Sequence, residues 1–292
     1  MLTTETIDVQ IDRTALQHHK EKHGEDYNKL LQQARKNEAR MRDAHTKCGE
    51  MIEHDKELEL LHFLQENSDI KVWDIVDPDG KTLLHECTFN DATKCTKAII
   101  SLAKDQIQSA PDMQLADWIN RKDSGDGFTA LHFASFKGNP DLCELLIENG
   151  ADIHAKNNFG INMLHVAAQG DMPISIYFFK LRGLNLRSRD NRGSTPLHWA
   201  AYSKAEITLV YLLSWVDFLD DQDCDGYTPL HLAVKSVETL QSTRPVRSLL
   251  IRGASRKIRD NQDRLPIDLA EFVTTVWLKN NLLNDLAEPK SF

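Results

Sequence analysis

Gly193–Ser194–Thr195–Pro196–Leu197–His198–Trp199–Ala200–Ala201 decides the fold of this chain, because it recurs at a fixed interval. Gly226–Tyr227–Thr228–Pro229–Leu230–His231–Leu232–Ala233 follows it, with the histidine 33 positions further on. Gly160–Ile161–Asn162–Met163–Leu164–His165–Val166–Ala167–Ala168 precedes it by 33, and Gly127–Phe128–Thr129–Ala130–Leu131–His132–Phe133–Ala134 lies another 33 before that. A degenerate copy, Gly80–Lys81–Thr82–Leu83–Leu84–His85, puts its histidine 47 before His132, and Arg264–Leu265–Pro266–Ile267–Asp268–Leu269–Ala270 places Asp268 37 after His231.

Each copy reads as the start of a helix. Thr195 is a residue type that caps orphan N–H groups, and Pro196 at the first helical position forfeits no hydrogen bond. Leu197 and Ala200–Ala201 then share one face, with small alanines that let neighbouring helices approach. A second apolar helix follows in each unit, as in Leu142–Ile147, and Gly150 reads as its left-handed stop. Pro140 and Pro173 open the second helices of their units. One such pair cannot bury its apolar face alone, so stacked copies share a continuous core.

A 33-residue period carrying Thr-Pro-Leu-His-x-Ala resembles the ankyrin-repeat family over about residues 48–285. The resemblance implies an all-α solenoid of about six or seven helix-turn-helix units with an N-terminal helical extension. It also implies a protein–protein interaction scaffold or adaptor that binds a partner in a concave groove. Within that class, residues 187–270 are similar to the ankyrin domains of Asp-His-His-Cys protein palmitoyltransferases. Here that enzyme's cysteine-rich zinc pattern and membrane spans are absent from the sequence. This narrower likeness implies a substrate-recruiting module as an alternative. A structural assembly component anchored by the N-terminal helix is a second.

Outward from the repeats, residues 1–13 read as a flexible tail and 14–54 as a charged helix or cap. Tyr27, Leu30, Ala34, Asn37, Met41, Ala44, Cys48 and Met51 alternate by three and four along it, a weak heptad stripe. It fits either a helix folded back on the array, since terminal repeats need a polar outer face, or one that pairs with another chain. Residues 55–287 read as the repeat domain and 288–292 as a frayed end. The 47-residue spacing inserts 14 residues across Ser101–Ser124, where Ser109–Asp112 breaks the pattern like a loop. In the last unit Asp263 and Asp268 stand where glycine and histidine are usual, marking a C-terminal cap with Val273–Leu286 as its outer helix.

Composition narrows the function. The formal charge of −9 argues against generic nucleic-acid binding, which needs a net basic face. The longest apolar run, Ile207–Trp215, falls far short of the roughly 20 residues of a membrane span. Five scattered cysteines without a C-x-x-C pair, and a polar opening without an apolar signal core, fit a cytoplasmic protein. No hydrolase, zincin or P-loop signature occurs, so neither an enzyme nor a cofactor is expected. The histidines at 85, 132, 165, 198 and 231 lie one per repeat, too far apart to share a metal ion; a ring bonded to neighbouring turn backbone is the expectation.

Binding is where the residues have content. By register, Phe128, Phe159, Arg192 and Tyr227 fall at turn tips, and Phe136, Lys137, Trp199 and Tyr202 on the first-helix face. Aromatic side chains are enriched at binding hot spots, so these eight are the candidate partner contacts. The competing reading for Phe128, Trp199 and Tyr227 is packing between adjacent units. A separate basic set, Arg182, Arg187, Arg189 and Arg192 with Arg244, Arg247, Arg252, Arg256, Lys257 and Arg259, fits either an anionic partner or surface, or a solvated face balanced by Asp217, Asp220, Asp221, Asp223 and Asp225.

Overall fold

A computed structural model describes residues 24–110 and 112–287, with the side chains of residues 24–28, 30 and 31 left undescribed. The 1–13 tail, the first part of the 14–54 segment and residues 288–292 lie outside the described residues. In chain order the helices are α1 (Gly24–Glu53), α2 (Glu57–Glu66), α3 (Leu83–Phe89), α4 (Thr93–Ile107), α5 (Leu115–Ile119), α6 (Ala130–Lys137), α7 (Pro140–Glu148) and α8 (Met163–Gln169). They continue with α9 (Pro173–Leu181), α10 (Pro196–Tyr202), α11 (Glu206–Trp215), α12 (Pro229–Leu240), α13 (Arg244–Arg252), a 3-10 helix (Pro266–Phe272) and α14 (Val276–Leu286). The described residues hold no strand, only one isolated bridge between Val76 and Thr82.

The short inner helices α3, α6, α8, α10, α12 and the 3-10 helix pack side by side, and α4, α7, α9, α11, α13 and α14 back them. Thr82, Thr129, Thr195 and Thr228 each hold extended backbone immediately before an inner helix, and Asn162 does so before α8. Leu197, Ala200 and Ala201 are all buried, as are their counterparts Leu164, Ala167, Ala168, Leu230 and Ala233. These residues join one continuous core that runs from Ala44 to Leu286.

The long N-terminal helix divides in two. Ala44, Cys48 and Ile52 are buried, at a spacing of four that keeps them on one face against the first unit, and Met41 and Met51 pack beside them. The expected stripe does not continue: Ala34 and Asn37 are exposed, with residues 32–40 facing solvent throughout. Arg40 fixes the emerging half by reaching Asp69 at 2.5 and 2.9 Å.

The insertion after the first full unit carries helix on both sides of its break: α4 extends to 15 residues, and α5 buries Trp118 and Ile119. Asn120 then joins α5 to the next unit, donating to the Gly150 carbonyl at 2.8 Å and accepting from Asp152 N at 2.7 Å. The last outer helix starts at Val276 rather than Val273, because the inner segment before it tightens into a 3-10 helix running to Phe272. No described helix is long and apolar enough to cross a membrane.

Candidate protein-interaction site

The site is assembled from one turn and one inner helix per unit, and histidine fixes the two together. In the Thr-capped units the histidine Nδ1 accepts the backbone N–H of the capping threonine, at 3.0 Å in His85, 3.2 Å in His132 and His198 and 3.1 Å in His231. The Nε2 of each ring faces a carbonyl of the following unit: Phe128 O at 3.1 Å, Ile161 O at 3.2 Å, Tyr227 O at 3.1 Å and Arg264 O at 3.3 Å. His165 makes the same bridge to Ser194 O at 3.1 Å. A carbonyl only accepts, so Nε2 carries the proton and the neutral ring satisfies both sides. Burial is the main cause that holds all five rings below the ordinary histidine range, His132 and His165 down to about 4.

The turns are stitched in the same way. Asp190 Oδ1 accepts from Arg192 N and Ser194 N, both at 2.9 Å, closing its own turn, and Asp123, Asn157, Asp223 and Asp260 do likewise in theirs. Successive tips then bond to each other, as in Asn158 N to Asp126 O at 2.9 Å and Asn191 N to Phe159 O at 2.8 Å. The stacking leaves no room for a side chain at Gly160, whose φ of +75° also disfavours one; a Cβ there would collide with Asn191.

On this frame the eight candidate residues fall into two groups. Phe159, Arg192 and Tyr202 are exposed, Phe159 at 53% and Tyr202 at 55%. The other five are half-buried between units. Phe128 lies edge-on to His132 and 5.8 Å from the Phe133 ring, and Phe136 packs over the bare backbone of Gly170. Lys137 Nζ sits 4.6 Å above the Phe89 ring. Trp199 donates its indole N–H to Asp190 Oδ2 at 2.9 Å and meets His165 edge-on, so its ring is held at the surface rather than free on it. Tyr227 accepts from Arg264 Nη2 at 2.8 Å, with Lys235 Nζ 4.1 Å above its ring.

Two residues belong with this surface that the central repeats did not reveal. Four positions after the histidine, successive inner helices carry Phe89, Phe136, Gln169, Tyr202 and Lys235, and Phe272 stands four after Asp268. Phe89 is 50% exposed and Phe272 61%. The signal was the same four-residue offset applied to the first and last units, where the 47-residue spacing and the histidine-to-aspartate exchange obscured it.

The basic set is largely neutralised within the chain. Arg187 and Arg189 share Asp221 at 2.5 and 3.0 Å, Arg192 meets Asp225 at 2.5 Å, and Arg182 pairs with Glu144. Arg244 meets Glu206 at 3.1 Å and Arg247 meets Asp285 at 2.7 Å. This favours the balanced face over an anionic-surface site. Lys137 and Lys235 differ: aromatic rings hold them, and no carboxylate among the described residues forms an ion pair with either.

Four of the cysteines are buried core residues. Burial pushes the thiols of Cys48, Cys95 and Cys143 up to about 12 and that of Cys87 well above the ordinary thiol range, while Cys224 is exposed at a turn tip. Among the described residues no group of three or more His, Cys, Asp or Glu could hold a metal ion.

Stacked helix pairs joined by bonded turns define a helical repeat solenoid. The description Ankyrin repeats (3 copies) matches residues 50–157 and 164–260, and Ankyrin repeats (many copies) matches 137–179. The chain belongs to the ankyrin-repeat family. Its fold is similar to the crystal structure of the human ASB11 ankyrin repeat domain, with a TM-score of 0.62 and 20% identity, covering 83% of this chain and 98% of that one. It is 31% identical over 87 residues to Protein phosphatase 1 regulatory subunit 27 of Mus musculus, covering 30% of this chain and 47% of that protein. It is 45% identical over 51 residues to Ankyrin repeat and SOCS box protein 3 of Bos taurus, covering 18% of this chain and 10% of that protein. The chain thus spans less than half the length of these curated relatives.

Proposed function

We propose that this chain is a protein-recognition scaffold that holds an extended segment of a protein partner along its inner-helix face, with the turn tips as the rim. The observation that carries this reading is the row four positions after the histidine. Phe89, Tyr202 and Phe272 stand half-exposed or more along one register of the inner helices, in a row that runs Phe89, Phe136, Gln169, Tyr202, Lys235 and Phe272. Exposed aromatic rows mark interaction surfaces, and a solenoid sets equivalent positions side by side. The contact set is Phe128, Phe136, Lys137, Phe159, Arg192, Trp199, Tyr202 and Tyr227, joined by Phe89 and Phe272. Within it Tyr202 and Phe159 are the anchors; Trp199, oriented by Asp190, is the firm wall beside them. The lysines at 137 and 235 favour a segment with acidic side chains, because their charge is not matched inside the chain. The name of the phosphatase regulatory subunit supports a regulatory rather than a catalytic reading.

Crosslinking with mass spectrometry on the captured complex identifies the partner segment, and its affinity is then measured by calorimetry. Truncating an aromatic anchor costs about 2 kcal/mol or more, roughly 30-fold in affinity. Tyr202→Ala and Trp199→Ala are each expected to lose about that much, with the helical circular dichroism signal retained. Full affinity in the doubly substituted chain would place the partner on another face.

A further inference from the structure

The outer helices carry a pattern that groove binding leaves unused. α7, α9, α11 and α13 lie side by side in that order, and their equivalent positions are 33, 33 and 37 residues apart. At the first exposed position they present Asp141, Ile174, Ile207 and Arg244; one turn on they present Glu144, Tyr177, Val210 and Arg247. Both rows read acid, apolar, apolar, base. The four central side chains face solvent, Ile174 at 48%, Tyr177 at 43%, Ile207 at 65% and Val210 at 57%. Leu181 and Trp215 widen the patch, and Lys180 Nζ, 3.7 Å from the Trp215 ring centre, joins α9 to α11. A contiguous apolar patch of this kind on a folded protein marks a contact surface.

The flanks complete the pattern. α7 holds three acidic side chains and no basic one; α13 holds three arginines and no acidic residue. Internal pairs compensate part of this charge: Arg182 on Glu144, Glu206 on Arg244 and Asp285 on Arg247. Asp141 and Glu148 have no ion-pair partner among the described residues, and Arg252 donates to the Leu213 carbonyl, which leaves its charge unmatched.

We propose that this face is a two-fold interface between two copies of the chain. A two-fold axis lying between α9 and α11, parallel to them, lays α9 of one copy over α11 of the other. The same rotation sets the acidic α7 over the basic α13 twice. An axis perpendicular to the helices would instead face α7 with α7, so the charges select the orientation. An isologous interface requires a patch that is complementary to itself, and a row running acid, apolar, apolar, base is complementary to itself when reversed. That self-complementarity singles out a second copy as the occupant.

Sedimentation velocity of the full chain through the micromolar range tests this. The chain is expected to dimerise. Ile207→Glu should make it monomeric, with the melting temperature of the unaltered chain diluted to its monomer, since Ile207, 65% exposed, packs against little within its own chain. Reversing α7 (Asp141→Arg with Glu144→Arg) or α13 (Arg244→Glu with Arg247→Glu) should each weaken self-association about a hundredfold, as like charges then meet. Mixing these two variants, or placing all four substitutions in one chain, should restore dimers. Circular dichroism checks their folding; Asp141→Arg alone, which breaks no internal ion pair, gives the same sign with a smaller effect. The proposal is overturned if the unaltered chain stays monomeric throughout, including the case where its patch binds lipid vesicles or another protein instead. A dimer indifferent to Ile207→Glu, or reversed chains that fail to recover on mixing, overturns it equally.

Discussion

The inner helix at His198 and the terminal one at Asp268 occupy the same place in the repeat but do different things. His198 accepts from its own cap through Nδ1 and reaches the Tyr227 carbonyl of the next unit through Nε2. Asp268 also accepts from its own cap, Leu265 N, at 2.7 Å. A carboxylate has no proton to pass onward, and no further unit stands beyond it among the described residues. The inner segment there is wound as a tighter 3-10 helix in place of an α-helix. The comparison separates two tasks that the histidine combines: closing a helix start, which aspartate does as well, and propagating the stack, which only a group with both an acceptor and a donor can do.

The largest expected break in this comparison comes from pH. The five histidines are neutral when folded, and burial lowers their folded pKa relative to the unfolded chain. Their stabilisation is therefore complete above about pH 6.5 and is lost as pH falls towards the folded value, about 4 for His132 and His165. Each of those two contributes on the order of 3 kcal/mol over that window. Denaturant titrations from pH 7 to pH 4 should show the midpoint falling through this range. A flat profile down to pH 4.5, below the histidine range but above most carboxylates, would contradict neutral bridging rings.

Next comes the packing that the bridge organises. Leu197 is 1% exposed in the shared core, and Leu197→Ala is expected to cost about 2–5 kcal/mol in chemical denaturation. His198→Asp sharpens the comparison directly, by placing the terminal residue type in the middle of the array. It keeps an acceptor for the Thr195 N–H but takes the inter-unit donor from the Tyr227 carbonyl, which still accepts from Asp223 N at 2.9 Å within its own turn. Losing that one bond costs about 0.5–1.5 kcal/mol and burying a carboxylate where the ring was adds to it, so hydrogen exchange should quicken at the 195–228 junction before the rest. Equal protection along the whole array would show that the bridge does not couple units. The smallest effect is Asp268→Ala, which removes only a cap: about 1 kcal/mol, confined to the 3-10 helix and α14.

The repeat register, the capping threonines and the histidine bridges were legible in the sequence because each depends on a short stretch whose bonds are local or reach one unit away. Gly150 falls where the unit's second helix needs a left-handed stop, and its φ is +100°. The N-terminal helix was legible only in part. Its three-four alternation ran through Ala34 and Asn37, but burial selected Ala44, Cys48 and Ile52, since the first unit covers only the end of the helix. The break at Ser109–Asp112 was legible, but nothing in that stretch indicates that Trp118 beyond it returns to the core.

What the sequence by itself determined is the unit: its helix starts, its stops, its buried face and its repetition, all carried by spacings shorter than one period. Tertiary structure alone decided which side chains remain available. Trp199 and Tyr202 look alike in the repeat, yet the first is bonded to Asp190 and the second stands in solvent. The arginines read as a basic face, yet carboxylates about one unit away hold most of them. The physical reason is folding at two scales: closure of the turn brings Asp190 to Trp199 from nine residues back in its own unit, and the arginines meet carboxylates about 33–38 residues distant in the chain, which only the stacking of units brings within a few ångströms.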